Sequence, residues 1–340
     1  MDVSKIWMAW PVQGPCSLTP LTGGTNNHVW RMDAADGQSY TLRVAPNATH
    51  IPRMRYEASV LQALSLTDLP FLLPVPIPAL NGDILVPVIA GDASGPMATL
   101  AAFLPGARSE LSTPERAHEA GAALALLDRA LVSLSVASPP ADARTLLPFG
   151  YLAERNPLLP DLVAALEQLP VGHELIQQLQ TTLIQHLAGI DELYATLPQQ
   201  LLHRDLDPSN LLIDEHGVTA ILDFEFAATD IRVLDLSVSL SWWPVSRMGT
   251  GTEWEIIDPL GQAYISIFPL TETELAAIPA MMRMRQFASL QHRIGRYLSG
   301  LEQVETIQEV LEFAQWRFTW LANQQHTLIE HALGWQRISS

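Results

Sequence analysis

The spacing of hydrophobic residues changes character near residue 104, and no single layer of secondary structure accommodates both patterns. Before that point, short runs of β-branched and aromatic residues alternate with turn signals. Residues 18–31 read as two extended stretches separated by Gly23, Gly24, Thr25, Asn26 and Asn27, and Asp36-Gly37 then turns the chain into a strand at 40–44. Branched side chains pack well on a pleated surface, and Asp-Gly accepts the positive φ of a hairpin turn. Residues 53–64 place Tyr56, Val60, Leu61 and Leu64 at helical spacing, and the prolines between 70 and 78 enforce an extended path. Further strands are expected at 84–89 and 97–103. From Pro114 the period is helical, at 114–133, 160–168, 174–196, 273–298 and 303–332. One island of strand signal interrupts it, 211–213 and 219–222, joined by Glu215, His216 and Gly217. The pattern predicts an α+β chain: a sheet-rich N-terminal part with one helix, residues 1–103, and a larger, mostly helical part, residues 104–340.

Charge narrows the function. The 340 residues carry 19 basic and 36 acidic side chains, a formal charge of −17, and Lys5 is the single lysine. So few cations do not sustain a surface for a nucleic-acid backbone, whereas a small cationic partner suits the balance. A Walker A loop needs Gly-Lys-Ser/Thr and is excluded, and the GxSxG elbow of a serine hydrolase is absent. One cysteine, Cys16, forms no intrachain disulfide, and no Cys/His cluster suggests zinc. The N-terminal residues lack a secretory pattern, and no run of about 20 apolar residues spans a bilayer. A cytoplasmic setting is expected. Oligomeric state has no signature in the sequence.

The strand island is flanked by polar residues that a core hairpin does not need. His203, Arg204, Asp205, Leu206, Asp207, Pro208, Ser209 and Asn210 precede it, and Asp223, Phe224 and Glu225 follow it. A hairpin returns the chain to its start, so Asn210 and Asp223 are expected at one end, with Asp205 one loop away. Two oxygen donors beside a third carboxylate describe a magnesium site next to a general base. A solvated turn with a helix cap uses the same residue types, and is the competing reading for any one of them.

The order HRDxxxxN, hydrophobic hairpin, DFE, downstream of a glycine-rich strand turn and a strand-borne cation, resembles the protein-kinase-like fold. It is most similar to the small-molecule branch, the aminoglycoside phosphotransferase and choline kinase superfamily. LTGGTNNHVWRM resembles that family's phosphate loop. ILDFEFAATDIRVLDLSVSLSWW resembles the stretch after the metal site in homoserine kinase type II and in choline/ethanolamine kinases. The resemblance implies a two-lobed fold that binds ATP and Mg²⁺. It makes Asp205 the catalytic aspartate, Asn210 and Asp223 the metal ligands with Glu225 beside a second metal or its water, and Asp235 a buried brace. Gly23, Gly24, Thr25, Asn26 and Asn27 would approach the phosphates, and the adenine would lie near Phe103. Family members commonly hold the phosphates with a strand lysine. Arg43 is the cation at the matching place, with Glu57 to orient it.

The acceptor implied is a small hydroxyl compound bearing an amine, homoserine first, then choline or ethanolamine, then aminoglycosides. A protein-directed bacterial stress kinase ranks behind these. Asp207, Trp242 and Trp243 are the substrate-side candidates, and Trp316 and Trp320 would either extend an aromatic wall for a cationic head or pack in the core. Without the lysine, a catalytically silent nucleotide-binding scaffold is the reading from another class.

Overall fold

The computed structural model describes residues 5–21, 27–46, 48–89, 91–92, 94–108, 113–156 and 159–338. In chain order the first elements are β1 (Ser17–Leu21), β2 (His28–Asp33), β3 (Ser39–Ala45), α1 (Ile51–Leu64), β4 (Val86–Pro87), β5 (Met97–Ala102) and β6 (Ala107–Arg108). A helical run follows: α2 (Pro114–Val132), α3 (Leu152–Arg155), α4 (Leu162–Glu167), α5 (His173–Leu187) and α6 (Ile190–Thr196). Four short strands come next, β7 (Gln199–Leu202), β8 (Leu211–Asp214), β9 (Gly217–Ile221) and β10 (Ala228–Ile231). The chain ends in α7 (Leu234–Trp242), α8 (Trp254–Ile267), α9 (Glu272–Ala276), α10 (Ile278–Leu298) and α11 (Val304–Ile338). The α+β class read from the sequence is the class observed. Among the described residues no helix is long and apolar enough to cross a membrane.

The chain forms two compact units, each assembled from separate segments. The first comprises Met1–Arg108, Ser133–Ala143 and Asn210–Glu225; the second comprises Ser109–Val132, Arg144–Ser209 and Phe226–Ser340. In the first, an antiparallel sheet runs in the order β1-β2-β3-β5-β4. Side chains alternate between its faces. Leu42 and Val44 of β3 enter a core with Trp10, Met32, Ala98 and Leu100, and Ala45 packs with Met54 of α1. The alternation therefore puts Arg43 on the Ala45 side, toward α1. The β8–β9 hairpin pairs through β8 with β6, and Ala220 bridges to Leu72.

In the second unit, α2 and α8 cross so closely that a Cβ on Gly121 would stand 2.2 Å from the Leu260 carbonyl oxygen. The same crossing buries a hydrogen bond from the Tyr264 hydroxyl to Asp128 Oδ2 at 2.7 Å. β7 and β10 pair antiparallel below the loop that β7 leads into.

Several elements depart from the expected pattern for identifiable reasons. The strand expected at 84–89 shrinks to Val86–Pro87, because proline has no N–H to continue the ladder. The helix expected at 174–196 is two helices, broken at Ala188 and Gly189. α7 carries no amphipathic signal because its residues from Leu234 to Ser241 are buried on all sides. α8 contains Pro259, a residue that counts against a helix in any sequence reading.

Candidate active site

The loop after β7 is held by the second unit. Asp235, fully buried on α7, accepts the backbone N–H of His203 at 2.7 Å and that of Arg204 at 2.5 Å. This is the bracing role expected of it. Arg204 adopts φ +66°, a left-handed conformation that costs a non-glycine residue energy and persists only when its surroundings enforce it. Its buried guanidinium supplies that enforcement. It bonds the Phe226 carbonyl at 2.7 Å, the Leu147 carbonyl at 2.9 Å and Asp230 Oδ2 at 3.2 Å. His203 is also fully buried, and its Nδ1 accepts the Asp205 N–H at 3.2 Å, so it anchors the loop. Ser239 Oγ donates to the Leu206 carbonyl at 2.7 Å. Strained, buried and bonded at successive residues, the loop holds the partly exposed carboxylate of Asp205 in place.

A second carboxyl lies behind the brace. Asp128 is fully buried, and burial first, then the charge of Asp235, pushes its pKa well up. Its Oδ1 has no donor in the structure. Burial raises Asp235 as well, but His203 and the two backbone N–H groups it accepts work against that rise, so of the two carboxyl groups Asp128 is the one that favours the proton.

Asp205 is not left alone. Arg285, from α10, donates through Nη2 to Asp205 Oδ1. Asp207 Oδ1 accepts both the N–H of Ser209 at 2.7 Å and its hydroxyl at 2.6 Å, closing the turn into β8. Trp242 is covered by the Arg317 guanidinium, 4.7 Å from its ring, and stacks on Phe313 at 6.2 Å. Trp243 is fully buried. Phe313 leads on to Trp316, whereas Trp320 turns to Trp254 and Glu253, so the four tryptophans do not assemble into one wall.

In the first unit the hairpin does what its pattern predicts. Leu211 pairs with Ile221, and the Leu222 N–H donates to the Asn210 carbonyl at 2.8 Å, which brings Asn210 and Asp223 to the same end. Asp223 takes φ +62°, again left-handed. Arg43 donates through Nη2 to Glu57 of α1, and its Nη1 lies 4.0 Å from Asp223 Oδ1. Burial works against the Arg43 charge, but Glu57, Asp223 and Glu225 more than offset it and push its pKa up, so the cation is fixed. Glu225 has partners of its own: Asn27 Nδ2 at 3.0 Å and Arg53 Nη2 at 3.2 Å. The Phe103 N–H is taken by the Ser39 carbonyl at 3.0 Å, and the Arg31 guanidinium lies 4.7 Å from its ring. Gly23, Gly24, Thr25 and Asn26 lie outside the described residues.

Among the described residues no group of three or more His, Cys, Asp or Glu side chains is arranged around a metal position. The amide oxygen of Asn210 and the carboxylate of Asp223 are hard donors at one end of a hairpin. That set fits a cation which completes its shell with water and phosphate oxygens, as magnesium does. Arg53, Arg285 and Arg317 are the residues that the sequence reading missed. Arg53 has a positional signal, since it lies four residues before Glu57 on the buried side of its helix, whereas Arg285 has none.

The sequence profile of the phosphotransferase enzyme family matches residues 17–255. Homoserine kinase of Cupriavidus taiwanensis is 30% identical over 250 residues, covering 67% of this chain and 69% of the relative. Homoserine kinase of Acidiphilium cryptum is 28% identical over 213 residues, and there the match spans 60% of the relative's length. Among solved structures, the amicoumacin kinase hAmiN in complex with AMP-PNP, Ca²⁺ and Ami has a TM-score of 0.66 at 16% identity, covering 92% of each chain. A microcompartment-associated aminopropanol kinase has a TM-score of 0.63 at 18% identity, covering 96% of this chain and 97% of its own.

Proposed function

The chain belongs to the phosphotransferase enzyme family, and from that premise we propose that it is an ATP- and Mg²⁺-dependent kinase. The acceptor is the hydroxyl of a small amine-bearing compound, homoserine first. The observation that carries this reading is the presentation of Asp205: a left-handed Arg204, a buried brace at Asp235 and an anchor at His203 serve to hold that one carboxylate in place. The homoserine kinase relatives favour a four-carbon amino acid alcohol, and the neighbour bound to AMP-PNP and Ca²⁺ favours nucleotide with a divalent cation.

Residues 1–103 act as the nucleotide lobe and residues 104–340 as the catalytic and substrate lobe. Arg43, kept charged and oriented by Glu57, binds phosphate oxygens of ATP through its fork of donors. Glycines in sequence at 23 and 24 would allow backbone N–H groups to approach the same phosphates. Asn210 and Asp223 would hold the magnesium, which when bound would neutralise charge on the triphosphate. Glu225 fixes Asn27 and Arg53 near that end of the hairpin. Asp205 accepts a hydrogen bond from the acceptor hydroxyl and aligns its oxygen for attack on the γ-phosphorus; the hydroxyl proton passes to Asp205 as the new P–O bond forms and ADP leaves. Little covalent work is required of the protein, since positioning and charge stabilisation supply most of the rate.

The test is an ATP-consumption panel with Mg²⁺ over homoserine, choline, ethanolamine and an aminoglycoside. Homoserine is expected to give the highest kcat/KM. No acceptor-dependent ADP release across the panel would refute the reading.

A further inference from the structure

The guanidinium on the catalytic carboxylate is the least expected contact in the second unit. Arg285 occupies one of the two oxygens of Asp205, Oδ1, and its positive charge lowers the basicity of a carboxylate that has to receive a proton. Transfer is favoured when Arg285 exchanges Asp205 for another anion.

Among the described residues, Asp205 is the carboxylate paired with Arg285. The Arg285 guanidinium lies 5.5 Å from the Phe149 ring, with those of Arg155 and Arg204 each 4.5 Å from the same ring. Arg204 has Asp230, but Arg155 is bonded to the Leu147 carbonyl, which brings no negative charge. Arg317, on α11 and only 4% exposed, donates to the Ser241 carbonyl at 2.7 Å and lies over Trp242 and Phe313. Burial first, and then the nearby charge of Arg285, push its pKa down to about 9, so it is still protonated near neutral pH and adds to the positive field. Arg285 itself has a buried Nε with no acceptor. In a chain of net charge −17, other cations gather near Arg285, which keeps one donor open.

We propose that Arg285 is the specificity residue for the acceptor, binding a carboxylate on the substrate and, until one arrives, occupying Asp205. The occupant is then a zwitterionic amino acid alcohol rather than a purely cationic one. The arriving carboxylate takes the Arg285 fork in place of Asp205 and adds the acceptor for its open Nε. Asp205 is released for the hydroxyl at the same moment. The inference rests on the reading of Asp205 as the group that receives the acceptor hydroxyl.

The experiment compares L-homoserine with 3-aminopropan-1-ol, which is the same molecule without its carboxylate, in the full-length protein and in R285Q and R285K. Loss of a paired charge in a buried site is expected to cost about 100-fold or more. The wild type is expected to prefer homoserine by about that factor in kcat/KM. In R285Q the preference is expected to collapse toward one, mainly through KM for homoserine, with KM for ATP unchanged; R285K is expected to retain part of it. Calorimetric titration of homoserine into nucleotide-free protein gives an independent readout, with binding to the wild type and none to R285Q. If homoserine binds through Arg285 but no acceptor is phosphorylated, the carboxylate site at Arg285 stands and the kinase reading falls. Turnover of aminopropanol with no homoserine binding overturns the inference and leaves the kinase reading intact. Equal losses on both acceptors in R285Q would show a purely structural arginine and also overturn it.

Discussion

Replacing Asp235 by alanine removes the acceptor of two buried backbone N–H groups, those of His203 and Arg204. Hydrogen bonds to a charged acceptor contribute about 1.5–3 kcal/mol each, so the gross loss is about 3–6 kcal/mol. One effect offsets part of it, since Asp128 loses a repulsive neighbour. A net destabilisation of about 3 kcal/mol remains, roughly a hundredfold in the unfolding equilibrium. Asp235→Asn keeps one acceptor and turns its amide NH₂ toward the unpartnered oxygen of Asp128, so it is expected to cost about half as much. Urea unfolding followed by tryptophan fluorescence measures both. The kcat of each variant is expected to fall as well, since the loop that carries Asp205 loses its anchor. If both variants unfold within about 0.5 kcal/mol of the wild type, the brace is not what holds the loop.

The Arg43→Met variant is expected to lower kcat/KM for ATP by about 100-fold or more, because a guanidinium fixed by Glu57 is lost, and Arg43→Lys to recover part of it; steady-state kinetics with varied ATP decides. Asp128 gives a pH dependence whose sign follows from its raised pKa. The folded protein holds that proton above the unfolded carboxyl value of about 4, so stability falls as pH rises from there toward the folded pKa. Asp128→Asn removes the proton and the slope with it. The variant is expected to gain on the wild type by up to about 1.4 kcal/mol per pH unit across that window, measured by urea midpoints at several pH values, and a pH-independent difference would contradict the proton on Asp128.

The candidate site was legible where geometry is local. A hairpin with Asn210 before it and Asp223 after it can only bring those residues together, and the alternation of β3 places Arg43 opposite Leu42 and Val44. Arg285 was not legible. It lies 80 residues from Asp205, and nothing in a helical stripe distinguishes an arginine that reaches a carboxylate from one that reaches solvent. The buried helix Leu234–Trp242 hid for the opposite reason, since burial on every side erases the period that reveals a helix. Trp242 and Trp243 were conspicuous by residue type, but type does not show that one is capped by Arg317 and the other fully buried.

Phosphorus-31 NMR of the protein with Mg-ATP and L-homoserine, run beside the Asp205→Asn variant, tests the central claim most directly. A phosphomonoester is expected to appear in step with ADP for the wild type. The variant is expected to run about 100-fold slower or more while binding ATP with unchanged affinity. Free phosphate without a phosphomonoester, or a variant that keeps the wild-type rate, would contradict the account.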